Sequence, residues 1–96
     1  MKPTFHKDAI SELVEACAYY QSIDAALGKD FKAAIKEAVE DIHRQPLRYR
    51  VVFGDMRRCR LRRFPYSFYF RIVGKAIRVT ILKHDRRHPK YGMDRQ

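Results

Sequence analysis

From Ala9 onward the apolar residues return at three- and four-residue intervals. Ala9, Ile10, Leu13, Val14, Cys17 and Tyr20 make one stripe, which predicts an amphipathic helix over about residues 7–22. Ser22 or Asp24 can cap a second helix over about 24–44. Its stripe is Leu27, Phe31, Ala34, Ile35, Ala38, Val39 and Ile42. Pro46 ends that helix, because proline lacks the amide hydrogen and disfavours helix at the residue before it. The connection between the two stripes is tight, so the helices should form a hairpin. Ahead of them, residues 2–5 (KPTF) read as a short first strand.

After Pro46 the period shortens to two. PLRYRVVFGDM reads as a loop or irregular strand with a turn at Gly54-Asp55. Arg58, Arg60 and Arg62 then alternate with Cys59 and Leu61, so a strand over 57–63 turns its arginines to one face and the apolar pair to the other. Phe64-Pro65-Tyr66 interrupts it. Over 67–73, Phe68, Phe70 and Ile72 alternate with Ser67, Tyr69 and Arg71, placing the phenylalanines in the core and Tyr69 on the polar side beside Arg71. Val73-Gly74-Lys75 is a turn, and Ile77, Val79 and Ile81 alternate with Arg78, Thr80 and Leu82 in a last strand over 76–83. Short connections imply an antiparallel meander. The expected fold is therefore α+β: a two-helix hairpin covers the apolar face of an antiparallel sheet, and the arginines lie on the other face. The tail KHDRRHPKYGMDRQ is polar.

Charge sharpens this picture. The 96 residues carry a net charge of +10, unevenly distributed. Residues 1–45 hold six Lys/Arg against eight Asp/Glu, while residues 46–96 hold fifteen against three. A basic half of this kind favours an anionic partner. The length suggests one domain, and no apolar run is long enough to span a bilayer. The N-terminus has no signal-peptide core, and Cys17 and Cys59 form no CxxC pair. We expect a reduced, cytoplasmic chain without membrane contact.

A row of guanidiniums offers planar, permanently charged phosphate donors. Nearby tyrosines could stack on unpaired bases. Arg57, Arg62, Arg63, Tyr69, Arg71, Arg78, Lys83 and Arg87 are accordingly candidate nucleic-acid contacts. The same strand could instead serve to resist edge-to-edge aggregation. RNA can be cut by its own 2′-hydroxyl if cations hold and stabilise the phosphate and another group moves protons. His84, His88 and Tyr91, just after the last strand, are the candidates for proton transfer. No metal or other cofactor is expected: His84 and His88 are four apart, but Pro89 argues against the helix that would align them. There is also no P-loop, GxGxxG or GxSxG.

Three stretches together resemble the RelE/ParE superfamily of toxins from type II toxin–antitoxin modules. They are A-x3-L-x-E-A-x2-YY from Ala9 to Tyr20, RRCRLRRFPYSFYFRI, and the ending IRVTILKHDRRHP, similar to ParE-like plasmid-stabilisation proteins. The resemblance implies a β-α-α-β-β-β, microbial ribonuclease-like fold and one of two activities. RelE-like members cut messenger RNA on the ribosome without a metal, and ParE-like members block DNA gyrase. Carried onto this sequence, the RelE-like catalytic set implies Arg58 and Arg60 as its basic pair, Arg86 after the last strand and Tyr91 in the tail. Ser67 stands where a third-strand arginine would fall. The resemblance also implies an acidic cognate antitoxin, whose amphipathic helix a groove along the helix hairpin could take. Ribosome-dependent mRNA cleavage is the first expectation. Gyrase inhibition, or a non-toxic nucleic-acid-binding relative, is the alternative.

Overall fold

The computed structural model describes residues 2–96. The chain runs β1 (Thr4–Phe5), α1 (Lys7–Ile23), α2 (Ala25–Arg44), a 3-10 turn (Pro46–Arg48), β2 (Val51–Phe53), β3 (Met56–Arg60), β4 (Tyr66–Val73) and β5 (Ala76–His84). Both helices and the three expected strands fall within a few residues of their sequence readings. Two helices packed on a sheet is the α+β arrangement expected of the RelE/ParE fold.

Local chemistry sets the helix ends. His6 caps α1, its Nδ1 accepting from the Asp8 amide at 3.0 Å. Asp24 ends α1 and caps α2, accepting from the Ala26 amide at 3.4 Å. The hairpin closes over Gly28, where a Cβ would lie 2.9 Å from the Cα of Gln21. Only a residue without a Cβ fits there without moving α1. On α2, Phe31, Ile35, Ala38 and Ile42 are buried, one per helical turn.

The sheet order is β1-β5-β4-β3-β2. The sheet is mixed rather than antiparallel: β2 to β5 form the meander, but β1 pairs with β5 in parallel, Phe5 opposite Val79. The alternating meander brings β5 alongside the first strand in the same direction. The stretch after Pro46 supplies a true edge strand, β2.

A second departure is at Thr80. Tyr69 pairs with Ile81 and Phe70 with Val79, so Thr80 is an extra residue in the β4–β5 ladder. Its hydroxyl donates to the Tyr69 carbonyl at 3.3 Å. The bulge reverses the side-chain parity of β5. Ile77, Val79 and Leu82 therefore join Phe31, Phe68 and Phe70 beneath the helices. Ile81, expected beside Val79, points to the opposite face. There it packs with Met56, Tyr69 and Met93 in a second small core. Among the described residues, no helix is long and apolar enough to cross a membrane.

Candidate functional site

The face of the sheet away from the helices carries the expected arginines. Arg58 lies opposite Tyr69, and Arg60 opposite Ser67, so these four share it. Burying Arg58 and Arg60 under the helices would have been very costly; instead their side chains are 37% and 70% exposed.

They are not free. Asp85, the first residue after β5, turns its carboxylate between them. It accepts from Arg58 Nη2 at 3.1 Å and from the Ser67 hydroxyl at 2.8 Å. Arg58 Nε also donates to the Ser67 oxygen at 3.1 Å. Arg60 Nε sits 3.3 Å from Asp85 Oδ2, yet that oxygen is buried without a hydrogen bond among the described residues, because the contact is ionic and off the hydrogen-bonding angle. The Asp85 amide donates to the Pro65 carbonyl at 2.8 Å, fixing the turn. Sequence reasoning passed over Asp85. Its signal was its isolation, as the sole acid between residues 56 and 93.

The other predicted residues are dispersed. Arg57 points to the helix side and donates to the Tyr49 carbonyl at 2.7 Å. β3 stops at Arg60, so Arg62 leaves the arginine face and pairs with Glu37 of α2 at 3.1 Å; Arg63, with a φ of 70°, turns to Asp30 at 3.6 Å. Tyr69, expected as an exposed stacking platform, is buried in the second core, and burial raises its hydroxyl pKa. Lys83 is also buried, not a surface contact. The bulge turns it under the tail, where Nζ donates to the carbonyls of His88 at 3.2 Å and Pro89 at 2.9 Å and lies 4.8 Å from the Tyr69 ring centroid. Desolvation, then the nearby Arg58 and Arg87, lower its pKa. Arg71 and Arg78 face each other across β4 and β5, with Asp55 3.5 Å from Arg71.

The proton-transfer candidates are held by local structure. Nδ1 of His84 accepts from the Arg86 amide at 3.0 Å, and Nδ1 of His88 from the Lys90 amide at 3.1 Å. A neutral ring in that arrangement carries its proton on Nε2, leaving no second acceptor to act as base. Tyr91 donates to Glu12 of α1. Arg95 makes two bonds of 2.9 Å to the same carboxylate, and the Leu82 amide a third contact at 3.1 Å. Burial alone would raise the Glu12 pKa, but the combined donation from Arg95, Tyr91 and Leu82 holds it below its ordinary value. This latch ties the tail to α1, and Met93 closes over Tyr69 and Ile81.

His84, Arg87 and Tyr91 line a cleft of about 290 Å³ between α1 and β5, walled by Tyr19 and Tyr66. Arg87 in its lining, and Arg86 and Lys90 in the same segment after β5, are exposed. No group of three or more His, Cys, Asp or Glu among the described residues could hold a metal ion.

Among curated proteins, none matches the chain. The family model described as ParE toxin of type II toxin-antitoxin system, parDE, matches residues 4–89, from β1 through the arginine strand to the turn after β5. The chain belongs to the ParE toxin family of type II toxin–antitoxin systems.

Proposed function

We propose that this toxin arrests growth in the cytoplasm by binding DNA gyrase, the ParE-like activity, rather than by cutting messenger RNA on the ribosome. The observation that carries this reading is the closed Arg58–Ser67–Asp85–Arg60 network. The two arginines that a RelE-like mechanism needs for the scissile phosphate already hold an internal carboxylate. The rest of such a set is not gathered around them: Ser67 replaces the third-strand arginine, and Tyr91 is engaged by Glu12. Exposed positive charge lies instead on the turn after β5, at Arg86, Arg87 (its guanidinium 4.1 Å from the Tyr91 ring centroid) and Lys90, where it favours docking to a larger anionic or acidic surface.

Membership of the family implies a cognate antitoxin. The exposed i,i+4 pairs Ile10–Val14 and Tyr19–Ile23 on α1 offer apolar contact to an amphipathic helix. The basic C-terminal half favours an acidic segment beside it. The test is induction of the chain alone, with DNA and protein synthesis followed separately and translated messages examined by primer extension. Replication should fail first with messages intact, and co-expression of the acidic protein encoded alongside should restore growth. Early arrest of translation with new message ends in the ribosomal A site would replace this reading by the RelE-like one.

A further inference from the structure

We infer that Arg58, Arg60 and Ser67 form a latent phosphodiester-binding site and that Asp85 is its internal occupant. The donors converge on one small anion from two strands: Arg58 Nη2 and the Ser67 hydroxyl on Asp85 Oδ1, Arg60 Nε on the Oδ2 side. Two guanidiniums and a hydroxyl thus converge on one carboxylate.

The fit is incomplete. Asp85 Oδ2 is buried and makes no hydrogen bond among the described residues, although Arg60 Nε is 3.3 Å away. Tethered to the turn after β5, the Asp85 carboxylate satisfies the donors at Oδ1 but meets Arg60 Nε off the hydrogen-bonding angle at Oδ2. A tetrahedral phosphodiester offers two unbridged oxygens in different directions and carries no tether. Asp85 also opens the turn that bears the exposed Arg86 and Arg87. A polyanion drawn to those two pulls on the same turn that holds Asp85 in place. Asp85 is therefore a specificity-determining residue: in place, it keeps the arginine pair from single-stranded nucleic acid.

This inference does not depend on gyrase being the target. The experiment measures fluorescence-anisotropy binding of a labelled single-stranded oligouridylate of about eight nucleotides over a salt series. Wild type, Asp85→Asn and Asp94→Asn are compared. Asp94 is exposed and also lies in the tail, so its substitution makes the same change in net charge away from the arginines. Asp85→Asn should tighten binding about tenfold and steepen the logarithmic salt dependence by about 0.7–1.4, the effect of one or two added phosphate contacts on a single strand. Asp94→Asn should stay within about twofold of wild type. Adding Arg58→Ala to Asp85→Asn should abolish the gain. Equal gains for Asp85→Asn and Asp94→Asn, or a gain that survives Arg58→Ala, would overturn the proposal. A sulfate arm separates a site for free anions from one for the polymer: sulfate at millimolar concentration should not compete at constant ionic strength, and full competition would refute the phosphodiester assignment. If Asp85→Asn does not fold, judged by circular dichroism, Asp85→Ser takes its place with the same criteria.

Discussion

Replacing Glu12 by alanine should be the most damaging single change outside the main core. The carboxylate accepts from the Leu82 amide, from both terminal nitrogens of Arg95 and from Tyr91. Glu12 and Arg95 are only 14% and 13% exposed, so the pair lies largely out of solvent. Breaking a buried pair by removing one partner costs roughly 3–5 kcal/mol, and orphaning a buried amide costs about 1–3 kcal/mol. The two overlap, and Arg95 keeps its 3.0 Å bond to the Thr80 carbonyl. A net loss of about 3–4 kcal/mol follows, a large fraction of the roughly 5–15 kcal/mol that holds a small domain folded. At roughly 4–8 °C per kcal/mol for this size of chain, Tm should fall by about 12–30 °C. Urea denaturation of Glu12→Ala, Glu12→Gln, Arg95→Ala and the double alanine variant provides the assay. Glu12→Gln keeps an acceptor for Leu82 and should lose about half as much. The double variant should be less unstable than the sum of the single ones, because each single change strands the other partner. A loss under about 1 kcal/mol for Glu12→Ala, or strict additivity with Arg95→Ala, would refute the latch.

The same carboxylate sets an acid limit. Its native pKa lies below the ordinary 4.5, so its stabilisation is complete above that value and is lost as pH falls through the native one. Wild type should lose stability below about pH 4.5 and Glu12→Gln should lose less of it over that range, as read by thermal melts between pH 3 and 7. Gly28→Ala should destabilise by about 1–3 kcal/mol despite alanine's better helix propensity, since the added Cβ meets the α1 backbone; an increase in Tm would contradict that close approach.

The helices were legible because their stripes are long and end in chemical signals, Asp24 and Pro46. The arginine face was legible in part: alternation placed Arg58 and Arg60 correctly, but gave no sign that β3 stops at Arg60 and sends Arg62 to Glu37. The bulge at Thr80 was hidden because Ile81 and Leu82 are both apolar, so either could continue the core face begun by Ile77 and Val79. Only pairing with β4 reveals the extra residue, and with it the burial of Ile81 and Lys83. Tyr91, Met93 and Arg95 have no periodic neighbours in the tail, so their return to Tyr69 and Glu12 left no pattern to read. Asp85 was overlooked for a related reason: as a lone acid among basic residues it reads as surface, and only the fold sets it between two arginines.

The central claim is that the toxin acts on gyrase while its arginine pair stays closed. The most direct measurement is a supercoiling assay with purified gyrase and relaxed plasmid, run beside a reconstituted translation reaction containing the same concentration of toxin. The account predicts inhibited supercoiling, relieved by the cognate antitoxin, with the translated message uncut. Unimpaired supercoiling together with ribosome-dependent cleavage of the message, lost in Arg58→Ala, would contradict it.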